Sequence, residues 1–510
     1  MSTNTPSTPV ARPRLVAVNR CQMVMRAIDE ERLIEEDHPA RSIWELVGRL
    51  DLSRYYADIA AVEGRAGREH TDPQVLISLW LYAYSRGISS AREVARQCEY
   101  EPALQWLCAL EPISHRTLSG FRSDHQAALN DLFAQVLGML SAEGLITLER
   151  VTLDGTKIKA NAGGNTFRRQ ETLEAHLQLA REQVRLMEEQ AAAEEEMAKR
   201  QVAARRRAAR QRRSRLEAAV REVERLQQEK KDDRDSFVAR ASSTDPEAHV
   251  MRNGEGGTVP SYNLQLLTDT TEGLIVNVEA TTEAVDHHQL EPALERCAQT
   301  LGRQPGQIVA DGDYTNHGSV AAAAANCGVD FYGSWQESWK PGECDAQGRR
   351  PAFLASAFPY QAESDSFTCP AGKTLTHCAL QNRQHGVRIH VYRAPREACR
   401  ACALRSACAP QKARPAWVRS ISRLEEPAAT VAFNAKMATE EAQQIYAQRS
   451  RIAEFPHAWI KERCGLRQFR CRGRLKATME AMWAALSYNL TRWFALRRRF
   501  TLADAALALA

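Results

Sequence analysis

A long stretch without helix breakers constrains the fold of this chain more than any other feature. Residues 165–245 contain neither glycine nor proline. Apolar residues recur there at spacings of four and three, which is a heptad seam: Leu173, Leu177, Ala180, Val184 and Met187, resumed by Leu216, Val220 and Val223. The stretch therefore forms one long helix or a helical hairpin, inserted after a first strand at Leu148–Leu153.

Strand and helix patterns alternate around this insertion. Short runs of β-branched and apolar residues predict strands, and longer stretches with apolar residues at helical spacing predict helices. The predicted strands are Leu148–Leu153, Tyr262–Thr268, Leu274–Ala280, 306–311 and Val329–Tyr332, and the predicted helices are His288–Leu301, Ser319–Asn326 and 440–500. The apolar residues of segment 335–430 show no regular spacing. This order indicates an α/β core that is interrupted twice.

The first part of the chain has a helical pattern between about residues 20 and 147. Asp72-Pro73 is a good N-cap and first-turn pair, and Gly87 ends the helix that it opens. Further helices are predicted at Ala91–Gln97 and Ser114–Phe121. Such short helices fit a DNA-reading helix-turn-helix unit and equally fit plain helical packing.

Bulk composition excludes few function classes. The net charge is +5, from 68 basic and 63 acidic residues, which permits nucleic-acid binding without arguing for it. The longest apolar stretches, Val75–Tyr84 and Ala505–Ala510, are too short to span a membrane. The N-terminus has no apolar signal segment, so the 13 cysteines are expected in a reducing compartment, by default the cytoplasm.

Two aspartates follow apolar strands of the predicted core. Asp154 comes after the run VTL, and Asp311 comes after IVA. If the two strands are neighbours, both carboxylates lie at the ligand-binding edge of the sheet. Carboxylate oxygens are the ligands that Mg²⁺ prefers, and divalent ions catalyse phosphoryl transfer. Alternatively each aspartate only ends its strand, because Asp-Gly is a common turn pair.

Four ordered motifs carry a family resemblance. DGTKIKANAG at 154–163, VPSYNLQ at 259–265, IVADGDY at 308–314 and YAQRSRIAEFPHAWIKERCGLRQFRCRG at 446–473 resemble the DDE transposases of bacterial insertion sequences. EEDHPARSIWELVGRLDLSRYY at 35–56 and TDPQVLISLWLYAYSRGISSAREV at 71–94 resemble the N-terminal helical domain of one branch. The similarity extends from about residue 20 to 495.

The resemblance implies an RNase H-like core whose acids bind Mg²⁺ or Mn²⁺. The acids that match are Asp154, Asp311 and Glu454. Glu454 belongs to a helix motif whose other members are Tyr446, Arg449 and Lys461, and Glu454 and Lys461 are two helical turns apart on one face. Glu480 is the reserve candidate for the third acid.

One residue departs from the family pattern. Relatives usually have a small residue where this chain has Asp313, two positions after Asp311. On an extended strand both side chains would face the same side. Asp313 could therefore compete with Asp311 for the metal or replace it.

Pattern and resemblance together predict an α/β fold with an RNase H-like mixed sheet, a helical N-terminal domain, a long helical coiled-coil insertion and a Cys-rich insertion. The predicted regions are a disordered lead (1–18), the helical domain, expected to bind DNA (19–147), the catalytic core (148–164 and 245–334), the helical insertion (165–244), the Cys-rich insertion (335–438) and the C-terminal helices with the catalytic helix (439–500).

The second insertion contains a cysteine pattern typical of zinc. Cys399, Cys402 and Cys408 are closely spaced, and Cys369 precedes them by thirty residues. Four thiolates around Zn²⁺ would hold together a segment that looks too polar to build its own core. Cys378, His377 or His390 could take the place of Cys369, and unliganded thiols are the alternative. The remaining cysteines are expected in the core.

Basic residues concentrate at two places. The segment 199–215 holds nine basic residues and no acidic one, including Arg205, Arg206, Arg210 and Arg213. It is predicted to contact DNA phosphates, with a solvated helix face that pairs with Glu194–Glu196 as the alternative. The other predicted DNA contacts lie near the metal site: Lys157, Tyr446, Arg449, Lys461, Arg467, Arg470 and Arg472.

The function implied by the resemblance is transposition. A transposase of this kind would hydrolyse phosphodiester bonds at the ends of its insertion sequence and transfer the 3′-OH to target DNA. Its partners would be double-stranded DNA and at least a second copy of the chain, on the bacterial nucleoid in the cytoplasm. An RNase H-like nuclease without strand transfer and a non-catalytic DNA-binding remnant are the alternatives.

Overall fold

The described part of the chain covers most of the predicted regions. The computed structural model describes residues 27–57, 69–190, 199–229, 238–254, 256–325, 329–335, 351–382, 387–410, 414 and 416–507, with the single residues Cys21, Met23 and Ile59. The predicted lead at 1–18 lies outside these residues, and so do Glu194–Glu196.

Helices build the N-terminal part as predicted. They are α1 (Pro39–Arg49), α2 (Ser53–Ala57), α3 (Pro73–Ser85), α4 (Ala91–Gln97), α5 (Pro102–Leu107), α6 (His115–Asp124) and α7 (Gln126–Ala142). The cap of α3 is Asp72, whose carboxylate accepts a hydrogen bond of 2.8 Å from the backbone N–H of Gln74. Gly87 follows α3 with a φ of +77°, a backbone conformation that favours glycine.

A mixed sheet forms the centre of the molecule. Its strands are β1 (Arg150–Lys159), β4 (His249–Arg252), β5 (Thr258–Asp269), β6 (Ile275–Thr281), β7 (Gln307–Ala310) and β8 (Asp330–Tyr332), with α10 (Leu290–Leu301) and α11 (His317–Ala325) between the later strands. The order across the sheet is β6-β5-β1-β7-β8, and β4 also pairs with β5. β5 lies antiparallel to β1 and β6, whereas β7 lies parallel to β1 and β8. This is the RNase H-like mixed sheet that was predicted.

The first strand is longer than predicted. The expected strand ends at Asp154-Gly155, but β1 continues to Lys159 and pairs with β5 along its whole second half. Gly155 is therefore not a turn residue. It lies opposite Gln265, and a β-carbon there would come within 2.6 Å of the Gln265 amide nitrogen and 2.7 Å of an Asp286 carboxylate oxygen. Glycine is required at this position because neighbouring side chains fill the space.

The first insertion is a helical hairpin, one of the two predicted alternatives. It begins after β2 (Phe167–Arg168), which pairs with β3 (Ala241–Ser242), and consists of α8 (Gln170–Gln190) and α9 (Lys199–Glu229). The seam residues meet across the hairpin in a small core formed by Leu173, Leu177, Ala180, Leu216, Ala219 and Val223. The two helices run antiparallel, since Arg181 pairs with Glu217 and Arg210 pairs with Glu188.

The second insertion is a β-sheet, and the prediction of an irregular, coreless segment was wrong. The strands are β9 (Tyr360–Gln361), β10 (Ser366–Thr368), β11 (Thr374–Asn382), β12 (Arg388–Arg393) and β13 (Ser420–Glu425), arranged β13-β12-β11-β10-β9, with α12 (Arg396–Arg400) and α13 (Arg405–Cys408) before β13. They enclose a core of their own: Phe358, Phe367, Leu375, Tyr392, Ala394 and Ile421. These apolar residues are few, and the fold brings them together from distant positions in the sequence.

The C-terminal helices close the core against the N-terminal ones. They are α14 (Ala428–Met437), α15 (Glu440–Ala447), α16 (Arg449–Glu462) and α17 (Arg474–Leu507). Asn489 of α17 accepts from the N–H of Ile275 at 2.9 Å and donates to its carbonyl at 2.7 Å, which satisfies the outer edge of β6. Ser487 donates to the carbonyl of Leu81 in α3 at 3.0 Å. One hydrophobic core therefore joins the N-terminal helices, the sheet and α17.

No helix within the described residues is both long enough and apolar enough to cross a bilayer.

Candidate active site

Asp154 and Asp311 lie side by side on neighbouring parallel strands. Leu153 of β1 is in register with Ala310 of β7, so the next residues, Asp154 and Asp311, occupy matching positions. Adjacent strands are about 4.8 Å apart, and matching residues on them project to the same face. β7 ends at Ala310, one residue before the predicted end, whereas Asp154 lies within β1. The sheet therefore brings the two predicted acids together.

The two carboxyl groups are partly buried, and they share one cationic neighbour, Arg449. Burial raises the pKa of Asp154 to about 6; the Arg449 guanidinium opposes this rise, and Asp311 adds to it. The pKa of Asp311 is also raised by burial, and the backbone N–H of Asp313 and the charge of Arg449 oppose the rise. Arg449 lies 3.9 Å from Asp154 Oδ1. The pair thus carries unbalanced negative charge, which Arg449 partly offsets.

Helix α16 covers this side of β1. His457 Nε2 lies 3.6 Å from Asp154 Oδ2, and Lys461 Nζ donates to Thr156 Oγ1. Glu454 is exposed on the same helix, and no described contact joins it to the two aspartates. It precedes His457 by three residues and Lys461 by seven, so all three side chains leave α16 on adjoining parts of its surface. Its role as the third acid stays a prediction.

Asp286 is an acidic neighbour that the sequence did not reveal. Its carboxylate is 5% exposed and accepts hydrogen bonds of 2.6 Å from the Asn263 and Gln265 side-chain amides. Lys157 Nζ lies 3.6 Å away. Asp286 raises the pKa of both Asp154 and Asp311. The spacing of Asn263 and Gln265 in the VPSYNLQ motif was a signal for this network, but Asp286 lies in a loop with no pattern of its own.

A basic cleft opens beside the carboxylates. Its volume is about 350 Å³, and its lining residues are Gly155, Thr156, Lys157, Lys159, Asn253, Gly254, Lys461 and Arg467. The backbone N–H of Phe469 donates to the carbonyl of Lys159 at 2.9 Å, which holds the basic loop after α16 against the end of β1. Three predicted DNA contacts, Lys157, Lys461 and Arg467, thus meet in one cleft, and Arg470 and Arg472 are located on the same loop.

Two other predicted DNA contacts face the protein. Arg449 points to Asp154, as described. The Tyr446 hydroxyl shares a hydrogen bond of 2.8 Å with Ser334 Oγ, and its ring packs beside β8. Both residues help to position α16 over the sheet, and their contact with DNA stays a prediction.

The two reserve acids lie outside the pair of matching strand positions. Residues 312–314 form a turn, with the Tyr314 N–H bonded to the carbonyl of Asp311, so Asp313 is not on the extended strand that was assumed. Glu480 is fully buried away from the pair. Its carboxylate accepts from the backbone N–H groups of Arg470 and Cys471 and lies 3.6 Å from Arg122. Glu480 thus links α17 to α6 and to the loop before α17.

The four predicted zinc ligands surround one small cavity. Cys369, Cys399, Cys402 and Cys408 all line a space of about 30 Å³ in the second insertion. Cys369 Sγ accepts from the N–H of Lys373 at 3.3 Å, and Cys399 Sγ accepts from the N–H of Arg419 at 3.5 Å. The alternatives His377 and His390 pair with each other at 3.2 Å instead. The predicted set of four cysteines therefore converges.

Across the described residues, no three His, Cys, Asp or Glu side chains lie close enough together to hold a metal ion as they stand. The donor types nevertheless suit the predicted ions. Two carboxylates fit a hard divalent ion, and four thiols around one cavity fit Zn²⁺. Both metal sites need side-chain movement to form, and both stay predictions.

The basic segment of α9 is partly compensated. Arg210 pairs with Glu188 at 2.6 Å, Arg213 lies 3.8 Å from Glu217, and Arg206 donates to the carbonyl of Met187 at 2.9 Å. Two of the nine basic residues therefore have acidic partners on the hairpin. The remaining exposed arginines with no ion-pair partner among the described residues are Arg205, Arg207 and Arg212.

Two segments of the chain match transposase family models. Residues 368–494 match the family model described as "Transposase DDE domain", and residues 28–124 match "Transposase domain (DUF772)". Both matches are to transposase models, in agreement with the resemblance to the DDE transposases of insertion sequences. The DDE match contains Glu454 and the cysteine cluster, and the DUF772 match contains α1 to α6. Asp154 and Asp311 lie between the two matched transposase segments.

Other comparisons add little to these transposase matches. No curated protein matches the chain. A solved structure, described as "Cryo-EM structure of piggyBac transposase synaptic complex with hairpin DNA", is similar at 8% identity over 89% of this chain and 74% of that chain, with a TM-score of 0.30. A likeness at that TM-score is too weak to assign fold or function.

Proposed function

We propose that this transposase-domain protein cleaves phosphodiester bonds at the ends of an insertion sequence and joins the freed 3′-OH to target DNA. The observation that carries the proposal is the register of β1 and β7, which sets Asp154 beside Asp311 next to a basic cleft. Acids and cations in this arrangement suit a phosphodiester whose charge must be neutralised while it reacts.

The residues of the site divide the work of such a reaction. Asp154, Asp311 and Glu454 would hold two divalent ions, Mg²⁺ or Mn²⁺. When bound, these ions activate the attacking oxygen and stabilise the leaving one. Lys157, Lys461 and Arg467 bind phosphate oxygens in the cleft and align the strand. Asp286, held by Asn263 and Gln265, keeps Lys157 in place.

The helical hairpin is proposed to bind DNA through Arg205, Arg207 and Arg212, which have no ion-pair partner in the part of the chain that the structure describes. Changing Arg205, Arg207 and Arg212 together to glutamine should leave the fold intact, because these side chains are exposed. Affinity should fall about equally for all DNA sequences, since phosphate contacts carry no base information. The salt dependence of binding should flatten by roughly 0.9 for each phosphate that is no longer neutralised, measured by fluorescence anisotropy at several salt concentrations.

A matched variant controls for loss of charge alone. Arg225, also on α9, pairs with Glu222 and Glu229, so Arg225→Gln should leave the salt slope nearly unchanged. If the triple variant keeps the wild-type slope, the segment is only a solvated helix face and the proposed arm is wrong.

The cysteine cluster is proposed to bind one structural Zn²⁺. Elemental analysis of protein purified without chelators should find about one zinc per chain, and Cys402→Ser should release it. Cys378→Ser is the control, because Cys378 is an exposed thiol on β11 outside the cavity. Loss of zinc should loosen the second insertion and spare the central sheet. Wild-type protein without zinc would contradict the proposal.

Assembly and location follow from the proposed reaction. Two ends of an element have to be handled together, so we propose a dimer or higher oligomer on DNA. The expected cytoplasmic, nucleoid-associated location belongs to the same proposal.

A further inference from the structure

We propose that His457 is a nitrogen ligand of the divalent ion that Asp154 binds. The inference rests on the proposed function, because it concerns the same ion. It adds to the three predicted acids a ligand of a different chemical type.

His457 is a buried imidazole without a hydrogen-bond partner in the described part of the chain. The residue is 7% exposed, and neither ring nitrogen reaches a hydrogen-bond partner within the described residues. Burying polar nitrogens in this way is unfavourable, so such groups usually have a partner or a function. The residue lies on the inner face of α16, between Glu454 and Lys461, directly over β1.

The distance to Asp154 suits two ligands of one ion better than a hydrogen bond. His457 Nε2 and Asp154 Oδ2 are 3.6 Å apart, which exceeds the range of a hydrogen bond. With metal–ligand distances of about 2.1 Å, adjacent ligand atoms of an octahedral ion are about 3.0 Å apart and opposite ones about 4.2 Å. The observed separation lies between these values, so a small side-chain rotation would admit an ion.

Two cations lie near the proposed ligands. Lys461 follows His457 by four residues on α16, and Arg449 lies 3.9 Å from Asp154 Oδ1. An imidazole binds a metal through the lone pair of its neutral form.

An imidazole ligand has a consequence for metal choice. Nitrogen donors suit Mn²⁺ better than Mg²⁺, which prefers oxygen. The protein should therefore bind Mn²⁺ more tightly than Mg²⁺, and His457→Gln should reduce that preference. We expect the variant to weaken Mn²⁺ binding roughly tenfold or more, as loss of a supporting group at a metal site does.

The test is pulsed electron paramagnetic resonance on full-length protein loaded with Mn²⁺ alone. Wild-type protein labelled with ¹⁵N-histidine should show a nitrogen coupling to Mn²⁺, and His457→Gln should lose it. His249→Gln is the matched control, because His249 pairs with Glu222 of the hairpin and should leave the coupling intact. If His457→Gln does not fold, His457→Asn takes its place.

The outcomes separate this inference from the proposed function. Mn²⁺ that is bound through Asp154 without nitrogen coupling overturns the role of His457 and leaves the transposase proposal standing. Nitrogen coupling that persists in the variant also overturns it. Failure of the wild-type protein to bind Mn²⁺, with Asp154→Asn indistinguishable from it, overturns both.

Discussion

Replacing Asp154 or Asp311 by asparagine is expected to abolish DNA cleavage while leaving DNA affinity largely unchanged. Asparagine keeps the shape of the side chain but removes the negative charge that holds a divalent ion. Losing several kcal/mol of transition-state stabilisation corresponds to a rate decrease of about 10³-fold or more. Cleavage of labelled DNA and binding of the same DNA, measured side by side, check both parts.

Two further variants make this result specific. Asp330→Asn is a matched control, because Asp330 begins the neighbouring strand β8 but pairs with Lys436 at the surface. It should cleave at nearly the wild-type rate. Asp313→Asn should retain most activity because Asp313 lies in a turn. Loss of cleavage in Asp313→Asn together with activity in Asp311→Asn would assign the second acid to Asp313.

Breaking the ion pair between Arg122 and Glu480 is expected to have the largest effect on stability. The side chains are 3% and 0% exposed, and their closest atoms are 3.6 Å apart. Glu480→Gln leaves the Arg122 charge buried without its counter-ion. Such a change costs about 3–5 kcal/mol in the free energy of unfolding. Urea denaturation followed by circular dichroism measures this loss.

The same two helices provide the control for this experiment. Asp124 of α6 and Lys476 of α17 form an ion pair of 3.1 Å at the surface, with both side chains about half exposed. Asp124→Asn should cost less than about 1 kcal/mol, because water screens exposed pairs. Equal losses in Asp124→Asn and Glu480→Gln would contradict the assignment of Arg122–Glu480 as a buried structural link.

Local signals in the sequence were sufficient for most elements of the fold. Helix α3 begins at Pro73 after the Asp72 cap, and α4 begins at Ala91, as predicted. Strand β7 was also predictable from a local signal, because a short apolar run that is followed by a polar residue can be recognised from neighbouring residues alone. Features of this kind need no knowledge of the tertiary structure.

Long-range packing explains the predictions that failed. Gly155 looked like a turn residue, but Gln265 and Asp286, more than a hundred positions away, crowd it inside a strand. The core of the second insertion joins apolar residues spread from Phe358 to Ile421. No local pattern connects such residues, so the sequence could not reveal these contacts.

The candidate site was partly predictable for a similar reason. The two aspartates have strand signals in front of them, and family motifs surround them. His457 and Asp286 lack such signals, because their burial depends on how α16 and the loop after β6 pack on the sheet. A helix motif also does not show which acid on a helix faces the sheet. For this reason the sequence left Glu480 as a reserve candidate for the third acid.

A strand-joining assay tests whether the protein carries out the proposed transposition reaction. Full-length protein, Mg²⁺, target plasmid and a linear DNA carrying the sequences that flank the gene are incubated, and the joints are sequenced. We expect that the 3′ ends of the flanking sequences become joined to the plasmid, and that Asp154→Asn protein yields no joints. Cleaved ends that never join, or joints formed equally well by Asp154→Asn, would contradict it.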